Sequence, residues 1–437
     1  MHDIIIIGGG FAGVTAAREL RAAGLSSLII EGRDRIGGRT WRDTHNGHPF
    51  ELGGAYVHWS QPHIWSEITR YGLKVVWGSE DDIDEIRVLS QGKLHTLDAE
   101  KGYALLEEAY AALYNANPQP DDLFPFPYDP LAHREWIPYA NASLYKRFKR
   151  LNLPPLQRDL LYAMLTSDLS SPLDESGQTE LLRLQALLGT DDFAKVSDVN
   201  GTYVIKKGTA ALLERMLEDS GAEVCTGQVV TQIDQSSEGV VVQTDQGHQY
   251  MARAVIVAIP LNTWANVTFT PALNEAKQQV AQQRHAGLGS KVFVRVKGEF
   301  PGLLALAPEE HLFSLLMASH VEKGSFWSKG NTWLIGFGST APEEFTLEWA
   351  RDALEPLLPG VEVLEVYGHN WTADPLAQGT WANFRPGQAT LLPDLIKAEG
   401  QVFFAGADIA LGWRGYIDGA IESGIRAARQ VKKVFKS

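Results

Sequence analysis

The apolar pattern of the first thirty residues changes its period twice. Residues 4–7 form an unbroken β-branched run, which is typical of a strand that is buried on both faces of a parallel sheet. Residues 14–23 are rich in Ala, Leu and Arg and stop at Gly24, which indicates a helix that ends at a glycine. Residues 28–30 are apolar again and lead into Glu31. The pattern therefore predicts a strand–helix–strand unit that closes within about thirty residues.

The turn between the first predicted strand and helix carries Gly8, Gly10 and Gly13 in G-x-G-x-x-G spacing. Gly8 allows a tight turn, Gly10 lets a pyrophosphate approach the backbone, and Gly13 permits close packing of helix on strand. The free N–H groups and the positive dipole end of the helix would face the phosphates. Glu31, 21 positions after Gly10, can accept hydrogen bonds from a ribose. This full context favours a dinucleotide site over a glycine-rich turn without a ligand.

The fingerprint leaves NAD and FAD open, and the next two segments separate them. Residues 33–40 read R-D-R-I-G-G-R-T, and residues 51–58 read E-L-G-G-A-Y-V-H. Both segments resemble the flavin-binding stretches of the flavin-containing amine oxidase family. The overall similarity is greatest to its soluble bacterial members of the 6-hydroxynicotine oxidase type. The resemblance spans nearly the whole chain and is weakest over residues 76–199.

The resemblance implies a set of residues in contact with FAD, drawn from both halves of the chain: Gly8, Gly10, Phe11, Ala12, Gly13, Glu31, Gly32, Arg33, Gly37, Gly38, Arg39, Gly53, Gly54, Ala55, Tyr56, Val230, Pro260, Trp371, Gly406, Asp408, Gly415, Tyr416, Ile417 and Ala420. Within this set, residues 37–39 would face the pyrophosphate and residues 53–55 the isoalloxazine. The one cysteine, Cys225, lies away from the segment where some relatives link a cysteine to the flavin. FAD should therefore be bound non-covalently.

A predicted strand in the second half carries a lysine at its entrance. Residues 292–296 alternate regularly between apolar and other side chains, and Lys291 precedes them. From the residues alone, Lys291 is a solvated strand-end lysine, because lysine is rarely buried. The family resemblance instead implies a catalytic lysine near flavin N5, with its pKa depressed by burial.

Two aromatic residues near the C-terminus are the other catalytic candidates. Residues 370–388 and 402–424 resemble the C-terminal segments of the family. By that resemblance, Trp381 and Tyr416 form an aromatic cage on the flavin face, which would align the amine and exclude water. Taken singly, each would be a core aromatic residue. A helix predicted to begin near Tyr416 has an open N-terminus, which suits the electron-rich pyrimidine edge of reduced flavin.

The chain has 437 residues, more than one hydrophobic core usually serves, so two interleaved domains are expected. The predicted fold class is α/β, with a Rossmann-like, GR2-type FAD-binding domain interleaved with an α+β substrate-binding domain. The FAD-binding domain should comprise residues 1–75, 200–290 and 396–437. The substrate-binding domain should comprise residues 76–199 and 291–395.

Local patterns add detail to this division. Helical spacing of apolar residues recurs at residues 100–113, 155–165 and 180–188, and residues 115–130 form a proline-rich connector. These patterns predict a mainly helical insertion over residues 76–199 that covers the flavin and determines which substrate binds. No residue of this insertion can be assigned a catalytic role from the sequence. Strand patterns recur in the second half at residues 202–205, 223–230, 240–250 (a hairpin) and 254–259.

Composition and charge narrow the partners. The formal net charge of −14 argues against a nucleic-acid partner, which requires a basic face. A single cysteine excludes an internal disulfide and a multi-cysteine metal site, and no His/Cys cluster suggests a metal. No signal segment and no apolar stretch of roughly 20 residues is visible. A cytoplasmic protein without a membrane partner is therefore expected.

These patterns lead to one hypothesis, an FAD-dependent amine oxidase. Hydride would pass from the carbon next to an amine nitrogen to flavin N5, the imine would hydrolyse, and O₂ would take the electrons to give hydrogen peroxide. Three alternatives stay open: a flavin dehydrogenase or desaturase with another acceptor or a C–C substrate, an L-amino-acid oxidase that binds the carboxylate with Arg414 or Arg385, and a non-catalytic FAD-binding protein. The amine and the oligomeric state, a homodimer included, also stay open.

Overall fold

The computed structural model describes residues 2–78, 83–300, 302–308, 311–318, 329–339 and 342–436. The strands of this part of the chain are β1 His2–Ile7, β2 Ser27–Ile30, β3 Arg42–His45, β4 His48–Glu51, β5 Val75–Trp77, β6 Glu85–Ser90, β7 Lys93–Asp98, β8 Tyr203–Ile205, β9 Glu223–Cys225, β10 Val230–Ser236, β11 Gly239–Thr244, β12 Gln249–Val257, β13 Thr268–Thr270, β14 Ser290–Lys297, β15 Leu303–Leu306, β16 Leu315–Ala318, β17 Asn331–Gly338, β18 Val363–Asn370 and β19 Val402–Phe404.

The α-helices are α1 Phe11–Arg21, α2 Pro62–Arg70, α3 Ala99–Tyr114, α4 Pro120–Leu123, α5 Leu144–Phe148, α6 Pro155–Leu169, α7 Gln178–Leu188, α8 Phe193–Gly201, α9 Thr209–Ser220, α10 Glu275–Gln283, α11 Leu347–Leu354, α12 Leu392–Ile396 and α13 Ile417–Lys436. Short 3₁₀ helices lie at Ile137–Tyr139, Leu261–Asn266, Gln388–Leu391 and Ala407–Ile409.

The first sheet has the predicted strand–helix–strand unit at its centre. β1 pairs in parallel with β2 and β12, and β9 and β19 extend the parallel part. β11, β10 and β13 continue the sheet from β12. Ile4 and Ile6 face a core that includes residues of α1 and α13, whereas Ile5 and Ile7 face a core around Trp264. Both faces of β1 are thus covered, which explains its unbroken apolar run.

Two strand predictions in this sheet were wrong in their bounds. The predicted hairpin arm and the predicted strand at residues 254–259 are one strand, β12. Its first half pairs with β11 in antiparallel fashion, and its second half pairs with β19 in parallel. The predicted strand at residues 223–230 is instead two, β9 and β10, because Gly227 turns the chain between them with a φ of 68°.

The second sheet has seven strands in the order β18-β14-β17-β16-β15-β6-β7. All its neighbours pair in antiparallel fashion except β15 and β6, which are parallel. One face packs on helices that include α3 and α6, and the other packs on α11. The sheet is therefore the middle layer of three.

The region over residues 76–199 departs from the predicted mainly helical insertion. The β6–β7 hairpin belongs to the second sheet, and α4 interrupts the predicted connector at residues 115–130. Gln91 and Gly92 both have positive φ in the two-residue turn between the strands, as a tight hairpin requires. The helix predicted at residues 155–165 continues to Leu169, which brings one more turn of side chains toward the interior.

The first and last helices pack closely against each other. A Cβ on Gly424 of α13 would lie 2.4 Å from the Ala12 carbonyl oxygen of α1, so only glycine fits there. Lys432 of α13 also pairs with Glu19 near the end of α1, so the two helices run in the same direction. Among the described helices, none is both long and apolar enough to cross a membrane.

The two sheets draw on different parts of the chain. Strands of the first sheet come from residues 2–30, 223–270 and 402–404, and those of the second from residues 85–98 and 290–370. The predicted domain boundaries stay a prediction, and their ranges include positions outside the described residues.

Candidate active site

A cavity of about 850 Å³ extends from the first sheet to the second. It begins at the carboxyl ends of β1, β2, β12 and β19, where residues such as Gly8, Glu31, Pro260 and Gly406 line it. Open parallel sheets commonly bind ligands at this edge. The cavity continues to β14–β17 of the second sheet.

Most of the residues predicted to contact FAD or substrate line this cavity: Gly8, Gly10, Phe11, Ala12, Glu31, Gly32, Arg33, Gly37, Gly38, Arg39, Gly53, Gly54, Ala55, Tyr56, Val230, Pro260, Lys291, Trp371, Trp381, Gly406, Gly415, Tyr416, Ile417 and Ala420. Gly13 and Asp408 are not among the lining residues. Residues far apart in sequence thus surround one space, while two of the predicted contacts lie behind its wall.

The glycine turn after β1 forms an open cradle. A Cβ on Gly13 would lie 2.0 Å from the Gly8 carbonyl oxygen, so Gly13 serves the packing of α1 on β1. At Gly10 the nearest atom to a Cβ is the Gly37 carbonyl oxygen, 3.8 Å away, on the cavity side. No side chain caps α1 at Gly10, and its first turn contains no acidic residue. The N–H groups there suit an anionic pyrophosphate.

Glu31 fixes the end of β2 against this turn. Its buried carboxylate accepts hydrogen bonds from the Gly9 N–H at 2.7 Å and from the Arg33 N–H at 2.8 Å, one on each oxygen. Each oxygen keeps a further lone pair, and Glu31 lines the cavity. The carboxylate can therefore accept from a ribose hydroxyl while it holds the loop, and the cradle and this acid together fit FAD.

Asp408 acts through Arg39. Arg39 donates to the Asp408 carboxylate at 2.6 Å and to the Thr380 carbonyl oxygen at 2.6 Å, so it joins three distant segments. Burial raises the pKa of Asp408, but the charges of Arg39 and His285 and the Leu261 N–H outweigh this effect and lower it. Asp408 thus positions an arginine at the cavity wall.

The two glycines at residues 53 and 54 differ in the space around them. A Cβ on Gly53 would lie 2.1 Å from the Arg39 carbonyl oxygen, so the protein's own backbone requires that glycine. At Gly54 the nearest atoms to a Cβ are 3.7 Å or more away. Both glycines line the cavity, and the approach of residues 53–55 to the isoalloxazine stays a prediction.

Lys291 is buried, with 6% of its surface exposed, and lines the cavity from the start of β14. Its Nζ donates to the Gly53 carbonyl oxygen at 3.2 Å. Rings of Tyr56, Phe293 and Phe337 lie within 6.0 Å of Nζ. Burial lowers the pKa of Lys291 to about 8, although the charge of Glu51 opposes the shift. A solvated strand-end lysine is thereby excluded.

The two cage candidates are held by hydrogen bonds at their polar ends. Trp381 donates from Nε1 to the main-chain oxygen of Asp168 at 3.0 Å, and Tyr416 donates to the Asn200 Oδ1 at 3.0 Å. A Cβ on Gly415, which has a φ of 88°, would lie 3.3 Å from the Trp381 Cβ. The loop before Tyr416 therefore lies directly against the segment of Trp381. Both rings line the cavity, but the cage itself stays a prediction.

Asp168 is an acidic residue of the cavity that no sequence pattern predicted. It lies in the last turn of α6, beyond the predicted end of that helix. Burial raises the pKa of its carboxyl to about 7. A single aspartate after an apolar helical pattern reads as a surface residue, so only the fold could reveal it.

The substrate end of the cavity is mainly apolar, and several of its residues were not predicted. They come from the helices over residues 99–201 and from the second sheet: Tyr103, Met164, Phe193, Val196, Leu304, Leu315, Met317 and Phe337. Among the described residues, no three His, Cys, Asp or Glu side chains are grouped so that they could hold a metal ion.

The two arginines considered for a substrate carboxylate are occupied elsewhere. Arg414 is buried and donates to both carboxylate oxygens of Glu180, at 2.7 and 2.9 Å. Arg385 pairs with Glu175. Neither arginine lines the cavity, which argues against an L-amino-acid oxidase.

A mostly parallel sheet end with a phosphate cradle and a ribose-facing acid, beside a cavity closed by a second sheet, is the architecture of a dinucleotide-dependent oxidoreductase. The sequence profile of the family described as flavin containing amine oxidoreductase matches residues 11–432. The chain belongs to the flavin-containing amine oxidase family. The predicted resemblance, the FAD cofactor and the flavin-dependent oxidation of amines are thereby confirmed.

Individual relatives support the same assignment. The chain is 36% identical to pseudooxynicotine dehydrogenase of Pseudomonas sp, over 100% of this chain and 87% of that protein. It is 32% identical to (S)-6-hydroxynicotine oxidase of Paenarthrobacter nicotinovorans, over 97% of each. The fold is similar to that of cyclohexylamine oxidase from Brevibacterium oxydans, with a TM-score of 0.79, 20% identity and 100% of both chains covered. The predicted α/β fold class is confirmed.

Proposed function

We propose that this protein oxidises an apolar amine that contains a ring and passes the electrons to O₂, which becomes hydrogen peroxide. The observation that carries the proposal is the arrangement of Lys291, Trp381 and Tyr416 around one cavity that also contains the cofactor cradle. Burial lowers the pKa of Lys291 to about 8, and no salt bridge to another described residue accounts for a buried lysine beside that cavity.

The residues divide the work as follows. When bound, FAD supplies the acceptor for a hydride from the carbon next to the amine nitrogen, and the resulting imine is hydrolysed. Trp381 and Tyr416 orient the amine by its apolar surface, since their polar ends are held by Asp168 and Asn200. Lys291 Nζ, fixed by the Gly53 carbonyl, can hold or release a proton near neutral pH.

The wall around the substrate end excludes water from the reaction. Met164, Leu304, Leu315 and Phe337 line it with apolar surface. Dry surroundings strengthen the interaction of the Lys291 ammonium with negative charge that develops nearby. They also protect the imine until it leaves.

The substrate class is proposed from the relatives together with the cavity. The two relatives described above carry the nicotine derivatives pseudooxynicotine and 6-hydroxynicotine in their names. The apolar and aromatic lining fits a compound with an aromatic ring and a secondary or cyclic amine. Nicotine-type alkaloids are therefore the first compounds to test.

A second candidate concerns the electron acceptor. One relative is named a dehydrogenase and another an oxidase, at similar identity. A flavin amine dehydrogenase of the same fold would use the same cavity and differ only in the acceptor. The half-reaction with O₂ therefore has to be measured separately.

The test mixes the FAD-loaded protein with single amines without oxygen and follows the flavin absorbance. We expect at least one amine with an aromatic ring and a secondary or cyclic nitrogen to bleach the flavin, and air then to restore it with peroxide formed. Flavin that stays oxidised with every amine would sink the substrate proposal. Bleaching that air does not reverse would instead support the dehydrogenase.

A further inference from the structure

A carboxyl group without a partner projects into the apolar end of the cavity. Asp168 lines the cavity together with Met164 and Phe337, and no hydrogen bond or ion pair joins its carboxyl to another described residue. Burial is the one cause that raises its pKa, to about 7. Asp168 is half-buried, and a desolvated carboxylate without a partner is costly unless a ligand supplies one.

The position of Asp168 is fixed relative to the predicted catalytic residues. Its main-chain oxygen accepts the hydrogen bond from Trp381 Nε1 at 3.0 Å. Two residues further on, Ser170 exchanges hydrogen bonds with Leu288, which leads into the strand of Lys291. The carboxyl is therefore at the same end of the cavity as the groups that would meet the amine.

Among the residues that the structure describes, the charged and titratable groups around Asp168 do not pair it with a cation. Tyr110 of α3 and Tyr416 before α13 face it. Burial first, and the charge of Asp168 in addition, raise the pKa of both phenols, so both stay neutral. Arg183 of α7 acts on Tyr416 but donates to the Gly412 carbonyl oxygen and lies beside Glu180. Asp168 also lies in the last turn of α6, where the helix dipole is negative and favours a cation.

We propose that the Asp168 carboxylate binds the substrate amine in its ammonium form and accepts a proton from the ammonium group before oxidation. This proposal rests on the proposed function. In this step one N–H bond breaks and one O–H bond forms on Asp168, and no electrons change hands. The nitrogen regains the lone pair that hydride loss from its neighbouring carbon requires. The cation that prevails in water thus becomes the binding form, while the neutral amine reacts.

The consequence is a distinctive pH dependence. Simple amines are mostly protonated at neutral pH, so an enzyme that admits only the free base loses about tenfold in kcat/KM per pH unit below the pKa of the substrate. With Asp168, the complex of ammonium and carboxylate has the same proton count as the complex of amine and carboxylic acid. The decrease of kcat/KM at low pH, its acid limb, should then follow the pKa of Asp168, near 7, and not the pKa of the substrate.

The first test compares Asp168→Asn with the wild type over pH 6–10, by anaerobic flavin reduction with substrates of different pKa. We expect the acid limb of kcat/KM to lie near pH 7 in the wild type whatever the substrate. In the variant it should move to the pKa of the substrate, with a loss of at least about tenfold at pH 7 that nearly vanishes at pH 10. Asp159→Asn is the matched control, because Asp159 lies on the same helix and its carboxylate accepts from Ser90.

The second test does not depend on turnover. A tertiary-alkyl primary amine without a hydrogen on the carbon next to nitrogen binds but cannot be oxidised. Its proton balance is measured by calorimetry at pH 8 in buffers of different ionisation enthalpy. We expect almost no proton release with the wild type and nearly one proton per amine with Asp168→Asn, because only the neutral form would bind.

Several results would overturn the assignment of Asp168. These are a uniform loss at all pH values in Asp168→Asn, unchanged proton release, and an acid limb that already follows the substrate in the wild type. The last needs no variant, so poor folding of Asp168→Asn leaves the proposal testable. A variant that still bleaches with amine at pH 10 separates failure of this step from failure of the proposed function.

Discussion

At the scale of single residues, burial favours the neutral forms of two side chains of opposite charge that line the same cavity. Desolvation lowers the pKa of Lys291 to about 8 and raises that of Asp168 to about 7. Neither shift comes from an ion pair between them, and each group is therefore able to change its protonation near physiological pH. Desolvated titratable side chains cost stability relative to apolar ones, so two of them in one cavity indicate a chemical role.

Lys291→Met should keep the fold and the bound FAD but slow the reaction. The methionine fills the apolar surroundings of the side chain, while the ammonium and its bond to Gly53 are lost. We expect at least about a tenfold decrease in the rate of flavin reduction, of reoxidation, or of both, measured by stopped flow. Lys297→Met, at the exposed end of the same strand, is the control. Equal rates in both half-reactions would remove Lys291 from the mechanism.

At the scale of elements, residues 8–13 of the glycine turn and α1 must both pack the helix on β1 and leave room for the cofactor. Gly13 is required by the packing of the helix on β1, and Gly10 leaves room on the cavity side. The same turn is fixed from outside, because Glu31 at the end of β2 accepts from the Gly9 N–H. The cradle is thus shaped by tertiary contacts that any dinucleotide-binding unit needs.

Alanine at these two glycines should have different effects. In Gly13→Ala the new Cβ meets the Gly8 carbonyl oxygen, so we expect a lower thermal midpoint even without FAD. In Gly10→Ala, where φ is −83°, the backbone accepts alanine, and we expect a normal circular dichroism spectrum. Its FAD affinity should fall by about tenfold or more, because the methyl group occupies phosphate space. Equal FAD affinity of Gly10→Ala and wild type would contradict this placement of the pyrophosphate.

At the scale of the whole molecule, ion pairs connect the two sheets across the cavity. Asp374, just after β18, accepts from Arg33 at 3.0 Å and pairs with His369 at 2.8 Å. Burial raises the pKa of Asp374, but the hydrogen bonds from His369 and Arg33 outweigh it and lower the pKa to about 2. A cofactor loop of the first sheet is thereby attached to an edge strand of the second.

Asp374→Asn should destabilise the protein in a pH-dependent way. The pKa is lowered in the folded state, so its contribution is complete above the ordinary value near 4 and disappears as pH falls toward 2. We expect a loss of about 2 kcal/mol at pH 7, seen as a lower thermal midpoint, and a smaller difference from wild type at pH 3. Asp352→Asn, exposed on α11, is the control. A difference that does not change with pH would rule out the ion pair as its origin.

The sequence by itself determined the parts whose signal is local. The β-branched run, the glycine spacing and the acid after β2 specify the strand–helix–strand unit, because period, turn chemistry and helix dipole act within a few residues. Together with the family motifs, they identified the cofactor, and most of the residues that they predicted to contact it line the cavity. The continuous β12 and the β6–β7 hairpin were misread, since strand partners far along the chain decide where a strand continues.

Only the tertiary structure decided which charges are buried and what surrounds them. Asp168 has no motif, and its role arises because the end of α6 is held against Trp381 and the segment before β14. Asp408 moved from a predicted cofactor contact to the support of Arg39 for the same reason. Burial and the resulting pKa depend on neighbours that the fold brings from hundreds of residues away, and no local pattern records them.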